Sequence, residues 1–504
     1  MESSKSQSKT SKDSIDQSSK KELKPRPMVA CTLPDGTLVD MVYSTTTGAS
    51  FAVAQGDKIF GLPELYVGQD GNLVMQEKDA VYKYVPSWIL KDHVKKNFIH
   101  IASHQEEYGS MSDLYQEIRS HIKKYVVLED PRFYDVAVGY VLMTWVYDRF
   151  NTVPYLRVVG DLGTGKSRFL DVIGKLCNRS LMASSISPAA IYRTLDQVEG
   201  TLVYDEADFK SSDMTDDIVK LLNSGNKKGA PVVKMEVSDD SIKTVTFRVF
   251  GPKILGSRRN WSDLALESRC ITYKLFPLKK VDVSVHLPPS FDAETQMLRN
   301  KLLMFRLKNY HIIQETEDSL GGIEFPRLRQ AVLALTSVLQ VVDREALGIV
   351  LDFLGDYEKT LLDTVSTDSH ADVLLSIAWL LEFDDIIRDS GKMYMESIKN
   401  KFNAMYYEDY AERETKEVRR DGSVMRIPGQ VVSSRKIGSY VDRLGLAKAR
   451  DGGGIYIPLG KEAPKIQKLV ARFGLQDILT GFRADEEEAR NNPNAFKEDK
   501  ERPF

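Results

Sequence analysis

The 504-residue sequence has few of the features that mark secreted or membrane proteins. Its three cysteines, Cys31, Cys177 and Cys270, lie far apart, a spacing that fits neither a disulfide framework nor a metal cluster. We expect small buried thiols in a reducing compartment. No run of about 18 apolar residues occurs, and the first residues lack the apolar core of a signal peptide. The sequence predicts a soluble cytoplasmic protein with no membrane partner.

Charge of one sign is also missing, because the formal net charge is only −3. Such a balance says little about whether the protein binds nucleic acid, since the net charge does not show local clusters of one sign. The chain is long enough for about three domains, and 42% hydrophobic residues are ample for their cores. The first 27 residues are rich in Ser, Lys, Gln and Asp, which predicts a disordered tail because they cannot bury enough apolar surface.

The most informative segment is YLRVVGDLGTGKS, residues 155–167. An apolar strand runs into a glycine-rich turn, whose backbone N–H groups can point at a phosphate while a lysine reaches the β/γ oxygens and a hydroxyl binds Mg²⁺. A helix predicted to open at Ser167 adds its positive end. The segment predicts ATP and Mg²⁺ as cofactors. The candidate nucleotide-binding residues are Gly160, Gly163, Thr164, Gly165, Lys166, Ser167 and Arg168, with Lys166 also catalytic and Ser167 also a metal ligand.

Two carboxylates follow a second apolar strand, Thr201–Tyr204. Asp205 and Glu206 stand about forty residues after Lys166. In P-loop enzymes an acidic residue at such a strand end holds Mg²⁺, and an adjacent glutamate can polarise the attacking water. Paired carboxylates also occur on ordinary solvated turns, but their position after a strand favours hydrolysis. We therefore predict Asp205 as a metal ligand and Glu206 as a catalytic residue.

A third strand is predicted over Thr246–Leu255, ending at Gly256, Ser257 and Arg258. A polar side chain there would sit between the two phosphate motifs and could sense the γ-phosphate or orient water. Ser257 is the first candidate and Arg258 the second, while a plain turn after a buried strand is equally compatible. Further on, Arg269 precedes a final strand, where its guanidinium could project across a subunit boundary.

The order of five segments resembles the AAA+ ATPases encoded by mobile genetic elements, which are similar to minichromosome-maintenance-type replicative helicases. These segments are GDLGTGKS, AAIYRTLDQVEGTLVYDEAD, LLNSGNKKGAPVVKME, FRVFGPKILGS and ALESRC, and the resemblance covers about residues 150–335. It implies a ring, a hexamer, in which Arg269 is an arginine finger acting on the neighbouring subunit's nucleotide. Such a finger can accelerate hydrolysis about a thousandfold or more.

Two further positions are compared with the same family. The family has a sensor residue, usually Asn, at the end of the third strand. This chain has GSRRN there, which leaves the role of Ser257 open. FPRLRQ resembles the sensor-two segment of AAA+ lids and makes Arg327 the candidate nucleotide-binding residue there, with Arg329 as the alternative. Either arginine could equally face solvent on an amphipathic helix.

A β-hairpin is predicted within NSGNKKGAPVVKMEVSDDSIKTVTFRV, because two β-like runs flank VSDDS. Lys227, Lys228 and Lys234 lie on or just before it. In the family that the sequence resembles, an insertion here projects into the ring channel and grips the DNA backbone. Lysines suit this task because phosphate contact is electrostatic and tolerant of sequence. A solvated basic turn is the alternative.

The last third carries an independent DNA-binding signal. Residues 370–382 and 393–405 are predicted helices, and SSRKIGSYVDRLGLAKAR, with Ser434 as its N-cap, leads to the turn DGGG and the run IYIPL. This layout is typical of a winged helix, whose basic helix enters the major groove, although winged helices also dock proteins. Against one acidic residue there are five basic candidates for duplex contact: Arg435, Lys436, Arg443, Lys448 and Arg450.

Together these patterns predict an α/β protein with a P-loop AAA+ ATPase core. The predicted segments are a tail (1–27), a small β-rich module (28–85), a helical segment (86–152), the ATPase core (153–277), a helical lid or linker (278–360), a winged-helix domain (370–460) and a charged tail (461–504). The predicted function is an ATP-dependent DNA helicase or translocase for replication of a mobile element, with a single strand in the ring channel. The alternative is an ATP-switched initiator or scaffold that does not unwind DNA.

Overall fold

A computed structural model gives the architecture of most of the chain. It describes residues 23–183, 186–205, 207, 213–238, 241–258, 261, 264–277, 284, 286–366, 369–406, 414–418, 424–428, 433–476 and 478–480. The chain divides into two compact units, residues 1–354 and 355–504. Within the described ranges, no helix combines the length and the apolar character needed to cross a membrane. Cys177 and Cys270 are buried, Cys31 is half-buried, and all three are free thiols.

The first part of unit 1 is rich in β-structure, as the sequence predicts. Its strands are β1 (Pro25–Met28), β2 (Ala30–Thr32), β3 (Leu38–Ser44), β4 (Gly48–Gln55), β5 (Lys58–Leu62), β6 (Leu65–Val67), β7 (Leu73–Val74) and β8 (Tyr82–Pro86). They form two sheets with the orders β2-β3-β4-β5 and β1-β8-β6-β7. Strand β1 begins inside the segment predicted as a tail. The buried face of this module shares one apolar core with the larger sheet that follows.

Helices dominate the next segment, again as expected from its periodicity. They are α1 (Trp88–Lys95), α2 (Met111–Tyr125) and α3 (Arg132–Thr144), with the short strand β9 (Ile99–His100) between α1 and α2. A capping box starts α2: Ser110 Oγ accepts from the Asp113 N–H at 3.1 Å, and Asp113 Oδ2 accepts from the Ser110 N–H at 3.0 Å. Every described side chain of α3 after Arg132 is buried, so this helix belongs to the core.

A six-stranded sheet lies at the centre of unit 1. Its strands after β9, together with the helices and the hairpin that connect them, are in chain order β10 (Tyr155–Val159), α4 (Lys166–Gly174), β11 (Ser180–Ala183), α5 (Pro188–Val198), β12 (Leu202–Tyr204), α6 (Asp213–Ser224), a hairpin of β13 (Val232–Ser238) and β14 (Ser241–Phe247), β15 (Lys253–Ser257), α7 (Leu264–Glu267) and β16 (Cys270–Lys274). The strand order is β16-β10-β15-β12-β11-β9. All pairs are parallel except β11 with β9. The carboxyl ends of the five parallel strands therefore meet at one edge.

The third strand predicted over Thr246–Leu255 is wrong as a single element. Its first residues end β14, its last residues belong to β15, and the chain turns between Phe247 and Lys253. Gly251 there has φ +155°, a value that favours glycine, and the next residue is proline, which has no N–H for a sheet ladder. Apolar character continues through the turn, which explains why the sequence pattern concealed it.

Two long helices and the start of a third complete unit 1. They are α8 (Phe291–Asn309), α9 (Pro326–Val342) and α10 (Arg344–Ser366), and the unit boundary falls within α10. A buried ion network links α8 to the β-rich module. Arg306 Nε donates to Asp40 Oδ2 at 2.6 Å, and its other nitrogens donate to both carboxylate oxygens of Asp148 at 2.8 Å. Arg179 pairs with the second oxygen of Asp40.

Unit 2 is a small helical body with a three-stranded sheet. Its elements after α10 are α11 (Ser369–Phe383), α12 (Asp385–Ser390), β17 (Lys392–Tyr394), α13 (Met395–Tyr406), β18 (Glu414–Val418), β19 (Val424–Pro428), α14 (Ser434–Arg443), β20 (Ala449–Asp451), β21 (Gly454–Pro458) and α15 (Leu459–Arg472). The sheet order is β17-β21-β20, and β18 pairs with β19.

The charged tail predicted from residue 461 is wrong over its first part. Residues 461–472 continue α15, and Ile466 and Val470 on this helix are buried in the core of unit 2. Leu475 and Leu479, beyond the helix, belong to the same core. The charged face of α15 dominates its composition, whereas the buried residues at helical spacing fix its structure.

Candidate nucleotide-binding site

The glycine-rich turn after β10 has the close packing that its sequence requires. A Cβ atom on Gly160 would lie 2.6 Å from Thr164 Oγ1 and 2.7 Å from the Leu275 carbonyl oxygen, so a larger residue does not fit. Gly165 has φ +89° and caps α4, a conformation that glycine adopts without steric cost. Helix α4 begins at Lys166, one residue earlier than predicted. Its positive end therefore faces the turn.

Lys166 extends over the turn that precedes it. Its Nζ donates to the carbonyl oxygens of Gly160, at 2.5 Å, and Asp161, at 2.8 Å. Thr164 Oγ1 also donates to the Asp161 carbonyl, at 2.9 Å. The ammonium group thus lies beside the same turn whose N–H groups would face a phosphate.

The structure brings Ser167 and Asp205 together. Asp205 directly follows β12, and its Oδ2 accepts a hydrogen bond from Ser167 Oγ at 2.8 Å. A hydroxyl and a carboxylate at adjacent positions are oxygen ligands of the kind that Mg²⁺ prefers. The donor set therefore fits the predicted metal. Glu206, the predicted catalytic glutamate, lies outside the described residues.

A cavity of about 370 Å³ opens above these groups. Most of the predicted phosphate-binding residues line it together with the end of β15. Its lining residues are Leu162, Gly163, Thr164, Gly165, Lys166, Ser167, Arg168, Asp205, Gly256, Ser257 and Arg258. Arg168 donates to the Ser284 carbonyl oxygen at 2.7 Å. The cavity offers cations, backbone donors and metal-binding oxygens on one side, which suits a polyphosphate.

Ser257 ends β15, between the strands that carry the two phosphate motifs. The side chain is buried, and its Oγ accepts a hydrogen bond from Arg157 Nε at 3.0 Å. Arg157 was not among the predicted site residues. The signal was an arginine in the middle of the otherwise apolar strand YLRVV, because a charge on a buried strand needs partners.

A second carboxyl group near the site was also missed. Asp171 lies on α4, one helical turn after Ser167. Burial raises the pKa of Asp171, and the nearby carboxylates of Asp205 and Asp292 add to the increase, while Lys175 opposes it. The sequence offered no signal for this residue beyond its helical spacing from Ser167.

Arg269 lies at the opposite edge of the sheet from the cavity. It precedes β16, whose first residue pairs with Tyr155, whereas the glycine-rich turn follows Val159 at the other end of β10. The five residues of β10 span about 16 Å. The half-buried Arg269 donates from Nε to Asn226 Oδ1 at 3.1 Å. The structure therefore does not bring Arg269 to the cavity of its own chain.

The two arginines that the sequence predicts for a lid differ in their surroundings. Arg327 is exposed at the start of α9 and is not among the described residues that line the cavity. Arg329 is half-buried and donates to the Ile323 carbonyl oxygen at 2.7 Å and to Glu317 Oε2 at 3.3 Å. Arg329 thus ties the start of α9 to the preceding loop, whereas Arg327 faces solvent.

The predicted hairpin exists as β13 and β14, but its lysines occupy two different places. Lys227 and Lys228 are exposed and precede the hairpin, where Lys227 forms a β-bridge with Thr152 and Lys228 Nζ donates to the Asp148 carbonyl oxygen at 3.0 Å. Lys234 lies on β13 and pairs with Asp217 Oδ2 at 2.9 Å. Residues 239 and 240, at the turn, lie outside the described ranges.

The five basic candidates of unit 2 are all exposed. Ile437 and Val441 bury the opposite face of α14. Lys448 Nζ pairs with Asp442 Oδ2 at 2.7 Å. The N-cap of α14 is Ser433 rather than the predicted Ser434: Ser433 has extended backbone angles and its Oγ accepts from the Lys436 N–H, whereas Ser434 Oγ donates to Glu396.

Comparisons with known proteins found similar solved structures only. No family model and no curated protein matches the sequence. One similar solved structure is SCCmec type IV Cch, described as an active helicase, with 13% identity, coverage of 88% of this chain and 95% of that chain, and a TM-score of 0.36. The NrS-1 C-terminal region has 10% identity, coverage of 83% and 95%, and a TM-score of 0.31. An MCM homologue from Methanopyrus kandleri has 11% identity, coverage of 64% and 76%, and a TM-score of 0.33.

Proposed function

We propose that this protein hydrolyses ATP and uses the energy to move along and unwind DNA. The observation that carries the proposal is the contact between Ser167 Oγ and Asp205 Oδ2, 2.8 Å apart, in the cavity that also contains Lys166. A hydroxyl, a carboxylate and a lysine beside a glycine-rich turn are the parts that hold a Mg²⁺-nucleotide in P-loop ATPases. Few other ligands require all of them.

Each group has a distinct role in hydrolysis. The backbone N–H groups of the turn and Lys166 bind the phosphates, and Ser167 with Asp205 would hold Mg²⁺, which neutralises charge on the β- and γ-oxygens when bound. Glu206 orients and polarises the attacking water. Ser257, at the end of the intervening strand, faces the position of the terminal phosphate and detects whether it is present.

Arg269 completes the site of a neighbouring subunit in this proposal. The length of β10 separates it from the phosphate-binding turn of its own chain. A guanidinium supplied across an interface stabilises the charge of the transition state. The active assembly is then a ring, and we propose a hexamer of the AAA+ type with Arg327 of the lid contacting nucleotide.

Two surfaces would contact DNA. The hairpin lysine Lys234 and the basic residues at its base, Lys227 and Lys228, would meet the backbone of a single strand in the channel, because phosphate contact needs charge rather than sequence. In unit 2, the order of α13, α14 and the β20–β21 hairpin suits a winged helix, whose exposed arginines and lysines would hold duplex DNA.

Strand displacement is the test of this function. Wild-type protein should release a labelled strand from a forked duplex when ATP and Mg²⁺ are present, and Lys166→Ala and Glu206→Gln should abolish release. Lys58→Ala, at the exposed first residue of β5, is the matched control and should displace the strand normally. ATP hydrolysis without displacement on any fork would contradict a motor and favour an ATP-switched initiator.

Mixing subunits tests the shared site. Arg269→Ala subunits retain an intact phosphate-binding turn, and Lys166→Ala subunits retain the arginine. Neither variant should hydrolyse ATP alone, whereas the mixture should, because some interfaces combine the two intact halves. A mixture that assembles but stays inactive would show that Arg269 does not act in trans.

A further inference from the structure

Arg157 occupies an unusual place on the central sheet. Its side chain is fully buried at the middle of β10 and reaches in two directions. Nε donates to Ser257 Oγ at 3.0 Å, and one terminal nitrogen lies 2.5 Å from Glu267 Oε1. The guanidinium also stacks on the Trp261 ring, 3.8 Å from its centroid. One buried cation therefore connects the nucleotide cavity with helix α7.

The partners of Arg157 are themselves fixed. Glu267 Oε1 accepts from the Trp261 N–H at 2.7 Å, and Trp261 Nε1 donates to the Ala207 carbonyl oxygen at 2.7 Å. The Ala207 N–H donates to the Gly256 carbonyl oxygen at 2.8 Å. The segment after Asp205, the end of β15 and helix α7 are thus held around one guanidinium.

Glu267 links the buried Arg157 to the part of the chain that carries Arg269. Glu267 ends α7, two residues before Arg269. Arg269 in turn contacts Asn226 at the base of the β13–β14 hairpin. A movement of Ser257 can therefore reach the arginine at the other edge of the sheet through a continuous set of contacts. An arginine suits this role because its planar fork holds two partners in a fixed relative geometry, which a lysine cannot do.

We propose that Arg157 is a positioning residue that couples a subunit's own nucleotide site to the arginine it presents to its neighbour. This inference rests on the proposed function, in which Ser257 faces the terminal phosphate and Arg269 acts in trans. When the terminal phosphate engages Ser257, the guanidinium shifts, and Glu267 carries α7 and Arg269 with it. The occupancy of one site then sets the rate of hydrolysis at the next.

Mixed assemblies can isolate this coupling. A donor subunit carries Glu206→Gln, so that it binds ATP without hydrolysing it and supplies Arg269. An acceptor subunit carries Arg269→Ala and keeps an intact phosphate site. Only the acceptor site that faces a donor is complete, so the measured rate reports the arginine of the donor. Substitutions are then added to the donor alone.

Adding Ser257→Ala to the donor should lower kcat of the mixture about tenfold. This lies within the loss, on the order of a hundredfold, that a misplacement of about 1 Å can cause. The KM for ATP should not change, since the acceptor's phosphate site is untouched. Arg157→Lys and Glu267→Gln in the donor should have the same effect. Ser180→Ala, a buried serine on β11 of the same sheet, is the matched control and should leave kcat unaltered. Thermal melting and sedimentation of each donor verify folding and assembly.

The possible outcomes are distinct. If the simple donor and acceptor mixture is inactive, Arg269 does not act in trans, and the coupling fails with it. If the mixture is active and all three donor substitutions leave kcat unchanged, the proposed function stands and the role of Arg157 is refuted. A tenfold loss that Ser180→Ala also produces would likewise refute it, because the effect would then be structural.

Discussion

Replacing Asp40 by asparagine should destabilise unit 1 strongly. Asp40 is 2% exposed and accepts hydrogen bonds from two buried arginines, with Arg306 Nε at 2.6 Å from Oδ2 and Arg179 on Oδ1. Asparagine has the same shape, but it removes the negative charge and turns an N–H donor toward a guanidinium. Breaking a buried ion pair on one side costs about 3–5 kcal/mol.

The remaining contacts decide where in that range the loss falls. Arg306 keeps both oxygens of Asp148 at 2.8 Å, and Arg179 Nε keeps the Glu199 carbonyl oxygen at 2.9 Å. Because neither guanidinium loses all its acceptors, we expect a loss of about 3 kcal/mol in the free energy of unfolding. This is a large part of the roughly 5–15 kcal/mol that stabilises a typical protein.

Urea denaturation followed by tryptophan fluorescence measures the effect. Trp145 is a suitable reporter because its carbonyl oxygen accepts from Arg306 at 2.7 Å. The matched control is Asp57→Asn in the exposed turn between β4 and β5, which should change stability by less than about 0.5 kcal/mol. If Asp40→Asn also stays within about 1 kcal/mol of the wild type, the network does not hold the β-rich module to the sheet.

Three further predictions concern separate parts of the molecule. Burial lowers the pKa of Lys253 from 10.5 to about 7. Because the unfolded chain keeps this proton to higher pH, the stability of the wild type relative to Lys253→Met should rise between pH 7 and 10, as measured by thermal melts. Ser167→Ala should raise the Mg²⁺ concentration for half-maximal ATP hydrolysis roughly tenfold in a metal titration, as loss of a ligand implies. Arg435→Ala should reduce the slope of log affinity for duplex DNA against log salt by about 0.9 in anisotropy titrations, whereas the exposed Arg472→Ala should not.

The elements around the phosphate motifs could be predicted because their signals are local. The first strand has the bounds that its apolar run indicates, Tyr155–Val159, and a second strand ends directly before Asp205. The β13–β14 hairpin of unit 1 also follows from its alternating pattern, and helices α11 and α13 of unit 2 follow from their helical spacing. Each signal lies within about ten residues of the element it predicts.

Contacts set by the sheet could not be predicted in the same way. The pairing of Arg157 with Ser257 joins residues 100 positions apart and depends on β15 lying beside β10. The order of parallel strands arises from tertiary packing, which a single sequence does not encode locally. The break at Gly251 and the helix at 461–472 were missed for a different reason. Apolar residues on both sides of Gly251 hid the first, and a charged composition hid the second.

The strand order also constrains how any arginine finger could work here. Parallel strands place all phosphate motifs at their carboxyl ends, while a residue that precedes β16 is fixed at the amino ends. The intervening β10 spans about 16 Å, which is longer than an arginine side chain. Arg269 could reach the cavity of its own chain only if β16 left its register with β10. If Arg269 contacts a nucleotide in the folded protein, that nucleotide must therefore belong to another subunit. A connection across the sheet, such as the one Arg157 makes, is then the direct route by which one site could influence the other.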